Sequence, residues 1–191
     1  NVKRIRPVEL GPFDYQNENY TRQLWAIEGV TSFYDDYFLY LSGVSTIAEY
    51  LKTVSDNINT VENTPGDAYQ TLAESSFDAW IKYYRRNENT HNNQVSYYVK
   101  GATVVTALNL LILKATNAEQ SMDDVMRALN RRYLQNPEKG YTEDELLEVC
   151  ETVAGIPLKE FFDAHIFGNE PIDYNEYLSL AGLHLHNNNK D

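Results

Sequence analysis

A single cysteine, Cys150, stands among the 191 residues, so no intrachain disulfide can staple this chain. Its setting in the run LLEVCETV, with no histidine close in sequence, reads as a buried apolar thiol rather than a nucleophile. Apolar runs are short as well: none approaches the roughly 18 residues that a membrane-spanning helix needs. Cations are scarce, with 16 Lys and Arg against 28 Asp and Glu, and the net charge of −12 argues against nucleic acid or an anionic membrane as partner. No segment recurs at a period of about 34 residues, which weighs against a helical solenoid. Histidine is limited to positions 91, 165, 184 and 186.

What is present is apolar and aromatic. A hydrophobic share of 42% and an aromatic share of 13% are too rich for a disordered chain, and the length suits one domain with one sizeable core. The first residue is Asn rather than Met, so we expect a processed product or a fragment. The compartment stays open, with a periplasmic or extracellular location compatible with the composition.

Taken in order, residues 1–19 carry Pro7, Gly11 and Pro12 without a sustained period and read as an irregular connection. Their cations, Lys3, Arg4 and Arg6, are expected to bond to the acidic body or to a neighbouring lobe. A helix follows over Leu24–Leu41, ended by Ser42-Gly43 with the glycine as a left-handed cap. Thr46 and Glu49 form a capping box for a second helix with an apolar face running from Ile47 to Val61. The connection is short, so the two helices should lie antiparallel. Residues 71–86 read as a short helix. The Asn-rich stretch 87–94 reads as a polar loop that could rim a cleft, with His91 solvated in it.

From Ala102 to Leu113 nearly every residue is apolar, which predicts a helix over 95–117 as the buried axis of the bundle. Ser121 with Asp124, Thr142 with Glu145, and Asp173 with Glu176 each look like an N-cap and its partner three residues on. Gly155 should close one helix, Pro157 open the next, and Gly168 and Gly182 close the last two. Leu183–His186 alternates like a strand and puts His184 and His186 on one side, two imidazoles without a third ligand nearby. The expectation is therefore an all-α bundle of roughly seven helices over residues 1–186, with 187–191 as a linker stub.

Glu28 is the residue this plan does not explain. On a helical period Glu28, Ser32 and Asp35 share one face, while Leu24, Trp25, Phe33, Tyr37, Phe38 and Leu41 offer enough apolar surface to bury most of the rest. A buried carboxylate needs a cation or hydrogen-bond donors, because desolvating the charge costs several kcal/mol, on the order found for real proteins. Spacing alone favours Glu28 on a solvated face. Tyr97 and Tyr98, at the entrance to the apolar helix, read on their own as core aromatics.

Three stretches carry a resemblance. Leu24-Trp25-Ala26-Ile27-Glu28-Gly29, the turn Tyr98-Val99-Lys100-Gly101 and the opening Asn1-Val2-Lys3-Arg4-Ile5-Arg6-Pro7 together resemble the glycyl aminopeptidase family of zinc metallopeptidases, relatives of the thermolysin-like enzymes. The resemblance spans nearly the whole chain and implies the C-terminal helical half of such a catalytic domain. In that family an H-E-x-x-H helix supplies two histidine ligands and the general base, and a later helix supplies a glutamate as third ligand. By position Glu28 is that glutamate, and Tyr98 is the phenol that donates to the oxyanion. Asp35 and Asp36 become candidate carboxylates to orient the ligating group, Asp35 better placed by its turn.

None of the four histidines belongs to an H-E-x-x-H motif. In the resembling family the NVKRIRP stretch follows closely on that motif, so we expect the chain to begin just past it. We therefore expect one half of an active site: inactive alone, without zinc, needing a preceding lobe, and prone to self-association through the wall that lobe would cover. The implied substrate is a peptide cut at its N-terminus, with Gly or Ala preferred, and a PDZ-type domain commonly follows. Two rivals are a helical glycan- or peptide-binding module using the abundant Tyr, Trp and Asn, and a scaffold without a site. The peptidase reading requires Glu28 and Tyr98 to converge.

Overall fold

The computed structural model describes residues 3–186, which contain no strand; one isolated parallel bridge pairs Pro7 with Tyr141. A π-helical turn, Trp25–Gly29, runs straight into α1, Val30–Leu41. Then come α2 (Ile47–Glu62), α3 (Leu72–Phe77), α4 (Thr90–Asn93) and α5 (Val99–Ala115). The chain closes with α6 (Met122–Gln135), α7 (Glu143–Ala154), α8 (Lys159–His165) and α9 (Tyr174–Leu178). The all-α expectation holds, with nine helices among the described residues against the seven expected; the excess is in short pieces such as the four-residue α4. The stub expected at 187–191, and Asn1 and Val2 of the opening stretch, lie outside the described residues.

The apolar run makes α5 the axis. Ala102, Val104, Val105, Leu108 and Ile112 are all buried, and the helix touches the π turn, α1, α2, α6, α7 and α9. A helix apolar all round is stable only where other elements cover every side, and this one has them. The leading segment is pinned to the connection between α6 and α7, where Tyr141 N donates to Arg6 O at 2.9 Å and Val8 N to Tyr141 O at 3.0 Å.

Local signals end most elements where they stand in the sequence. Capping boxes start α2 (Thr46/Glu49), α6 (Ser121/Asp124) and α7 (Thr142/Glu145), and Asp173 caps α9. A fourth box, Thr71 with Glu74, starts α3. Gly43, Gly155 and Gly182 take positive φ at helix ends. As expected, α1 and α2 are antiparallel: Tyr40 near the end of α1 stacks 5.6 Å from Tyr50 near the start of α2.

Three local expectations change. Phe38 and Leu41 are exposed, because α2 covers only the Phe33–Tyr37 side of α1 and Phe38 instead stacks on Tyr34 at 4.9 Å. α8 begins at Lys159, two residues past Pro157, since the Glu151 carboxylate of α7 accepts the Leu158 amide at 2.8 Å. Residues 183–186 are irregular, held to the start of α9 where Leu185 N donates to Asn175 Oδ1 at 2.7 Å.

Candidate active site

The carboxylate of Glu28 sits on the π turn, between the buried residues Ile27 and Gly29, and is itself half-buried. Single π turns embedded in helices re-aim a side chain relative to the α-helical phase and concentrate at functional positions. This one is anchored at its start: Trp25 N donates 3.0 Å to Ser76 Oγ, whose own proton goes to Leu72 O. Its end is fixed by contact. Gly29 packs against Gly101 in the first turn of α5 so closely that neither position has room for a side chain.

That crossing brings the Tyr98 end of α5 to the Glu28 turn. Tyr98 is the N-cap residue of α5, and its ring lies 4.6 Å from that of Tyr97, which is 1% exposed. Burial, helped by a hydrogen bond with Tyr84 and by the negative charge of Glu28, pushes the Tyr98 hydroxyl up to about 12. At neutral pH it is an uncharged donor within electrostatic reach of a carboxylate. The two residues required to converge are thus close enough to interact, whereas a scaffold without a site predicts them apart.

No group among the described residues hydrogen-bonds or ion-pairs with Glu28, which acts on the Tyr98 phenol through its charge. A half-buried carboxylate left in this state has the donor chemistry that a cation requires. It supplies one arm only, for among the described residues no three His, Cys, Asp or Glu gather around a common point. His91 is exposed on α4. His165 is buried, bonding the Glu170 carbonyl at 3.1 Å and meeting the Tyr177 hydroxyl at 3.4 Å. The rings of His184 and His186 lie 4.7 Å apart without a third donor.

The other candidates separate. Asp35 is exposed and lines an open apolar groove of about 380 Å³ with Ile27, Tyr34, Phe38, Met122 and Cys150. Glu28 and Tyr98 stand outside that groove's walls. Asp36 turns toward α2, where Asn57 Nδ2 donates to it at 3.5 Å; burial, then the charge of Asp35, raise its carboxyl. Cys150 is buried and its thiol is pushed up to about 12 by burial, as an inert core thiol should be.

Lys100 does not face Glu28. It is 2% exposed and reaches Asp67 Oδ1 at 2.6 Å, tying the start of α5 to the turn Pro65–Ala68. Tyr84, whose hydroxyl meets that of Tyr97 at 3.1 Å, had no distinguishing mark in the sequence among 15 tyrosines; only folding shows which phenols meet.

The family described as M61 glycyl aminopeptidase matches residues 1–104. A crystal structure of an aminopeptidase N family protein from Idiomarina loihiensis matches with a TM-score of 0.88 and 33% sequence identity. The match covers 94% of this chain and 30% of that one, so the chain spans under a third of that relative's length. Among curated proteins no sequence matches.

Proposed function

This chain belongs to the M61 glycyl aminopeptidase family, and from that premise we propose that it is the C-terminal helical part of a zinc aminopeptidase's catalytic domain. The observation that carries the reading is the half-buried Glu28 carboxylate, lacking a protein cation and set against the Tyr98 phenol by the Gly29–Gly101 contact. Glu28 would be one of three protein ligands, the other two being histidines of an H-E-x-x-H helix that precedes this chain. Zinc bound there would supply Lewis acidity, polarising a peptide carbonyl and acidifying its water.

The work of this chain's own residues follows from their placement. Glu28, held on an anchored turn, contributes negative charge that adds to burial in keeping the neighbouring phenol protonated. Tyr98 donates its proton to the oxygen that becomes negative as the peptide carbonyl turns tetrahedral; one such donor is worth about 3 kcal/mol of transition-state stabilisation. The general base is the glutamate of the preceding motif. Asp35, the more exposed of the two aspartates, is the one open to the preceding lobe and so the candidate to support the metal's surroundings. The apolar groove lined by Ile27, Phe38 and Met122 is the wall on which the preceding lobe would pack.

The substrate would be a peptide with a free N-terminus, Gly or Ala leading. The test is hydrolysis of glycyl- and alanyl-p-nitroanilide by the intact parent protein, with zinc measured by atomic absorption. We expect zinc-dependent turnover that Glu28→Ala abolishes together with the metal. Unchanged turnover and zinc content in Glu28→Ala would overturn the proposal.

A further inference from the structure

Beside the proposed site the chain holds aromatic rings out to solvent. Residues 78–84, just past α3, are wound into a compact segment: Lys82 N donates to Asp78 O at 2.8 Å, Tyr84 N to Ala79 O at 3.0 Å, and the Lys82 ammonium pairs with the Asp78 carboxylate at 2.6 Å. Trp80 and Tyr84 stand on it 47% and 62% exposed, yet the polar end of each is bonded, Trp80 Nε1 to Asn19 O at 3.3 Å and the Tyr84 hydroxyl to that of Tyr97 at 3.1 Å. Side chains tied at the tip lose little further freedom when something covers their faces. Tyr20, next to Asn19 in the chain, and Phe77 lie 5.1 Å apart and extend the exposed aromatic surface. Apolar surface of this kind marks a binding site.

The rings run in steps to Tyr98. Trp80 lies 6.3 Å from Tyr84, Tyr84 5.4 Å from Tyr83, and Tyr83 6.0 Å from Tyr98. None of the four lines the apolar groove assigned above to the preceding lobe, so the row is not part of that wall.

We propose that Trp80 and Tyr84 form a subsite for apolar side chains on the leaving part of a peptide substrate, at the second and third residues after the cut bond. The inference rests on the peptidase reading given above. With the scissile carbonyl at Tyr98, an aminopeptidase substrate has one residue on its amino side and the rest of its length on the other, so a row of rings leading away serves the leaving side. An extended peptide advances roughly 3.4 Å per residue, and two or three such advances carry it over Tyr84 toward Trp80. Aromatic side chains gain there by covering Trp and Tyr faces, whereas serine gains almost nothing.

The zinc-loaded parent protein tests this with Gly-Ala-Phe-Phe, Gly-Ala-Ser-Ser and the dipeptide Gly-Ala, which ends short of the rings. kcat/KM should be about tenfold higher for the phenylalanine peptide than for the serine one, carried by KM, since the subsite binds ground and transition states alike. Trp80→Ser should cancel that preference, and Trp80→Phe should retain most of it. Cleavage of Gly-Ala by the wild type reports the peptidase reading by itself. A second measurement needs no turnover. In metal-free parent protein labelled with 5-fluorotryptophan, the 19F resonance that Trp80→Phe removes should respond to D2O, as an exposed ring does, and shift on titration with Gly-Ala-Phe-Phe but not with Gly-Ala-Ser-Ser.

Equal kcat/KM for the two tetrapeptides, a preference that survives Trp80→Ser, or a Trp80 resonance unmoved by the phenylalanine peptide would each overturn the subsite and leave the peptidase reading standing. A Trp80 resonance indifferent to D2O in the free parent would overturn it too, by showing another lobe over the rings, and so would one that answers to cellohexaose in place of the peptide. Failure to cleave Gly-Ala and both tetrapeptides would instead overturn the peptidase reading, and the subsite with it.

Discussion

Gly29 and Gly101 meet backbone to backbone: a methyl on Gly29 would lie 2.7 Å from the Gly101 Cα, and a methyl on Gly101 would lie 2.8 Å from the Gly29 Cα. One residue before the first stands Glu28, and three before the second stands Tyr98. The crossing therefore sets the distance between the proposed ligand and the proposed donor.

Gly101→Ala is expected to destabilise the fold. In an isolated helix the change would gain up to about 1 kcal/mol from propensity. Here the methyl enters a contact made of backbone on both sides, and overpacking of that kind costs roughly 1–3 kcal/mol or more. The urea midpoint should fall. A raised midpoint would mean that the two segments can part without cost, and the crossing would no longer explain the site.

Much of this was legible before folding, and the reasons differ by residue. The capping boxes at Thr46, Ser121 and Thr142 are local chemistry, complete within four residues, and each helix starts where they stand. The buried axis α5 could be read because a helix apolar on every side has nowhere else to go. By contrast, the π turn at Trp25–Gly29 depends on Ser76, fifty-one residues away, and no helical period announces it. Phe38 and Leu41 were expected inside because periodicity counts apolar residues, not the elements available to cover them. Glu28 and Tyr98 could be named only through family resemblance. Their proximity is tertiary, set by two glycines whose spacing in the sequence carries no signal.

The ion pair of Lys100 with Asp67 predicts a strong dependence on a charge remote from the chemistry. Lys100 is buried, and its partner is three-quarters covered. Lys100→Met keeps the volume and removes the ammonium, leaving Asp67 an unpaired carboxylate in a poorly solvated place. Breaking such a pair from one side costs about 3 kcal/mol. Chemical unfolding should show that loss, and Lys100→Met/Asp67→Asn should recover part of it. An unaltered midpoint in Lys100→Met would show that the pair is not what holds the Pro65–Ala68 turn to α5.

Glu145 gives the pH dependence a sign. Its carboxyl lies below the usual glutamate range because Lys139 bonds it, the Thr142 amide donates to it, and Arg132 stands beside it. A folded-state value below the unfolded one means stability that is present above the unfolded value of about 4.3 and lost as pH falls through the lower, folded value. Glu145→Gln should lower stability at pH 7 and flatten the acid side of the stability curve below about pH 4.3. Equal pH slopes for the two proteins would remove Glu145 from the acid transition.

The central claim is that Glu28 binds metal, and anomalous diffraction at the zinc edge from crystals of the intact parent protein tests it without intermediaries. The account predicts a peak about 2.0–2.2 Å from a Glu28 carboxylate oxygen, with two histidine nitrogens completing the protein's share of the shell. A zinc peak coordinated by other residues, with Glu28 outside its shell, would contradict it.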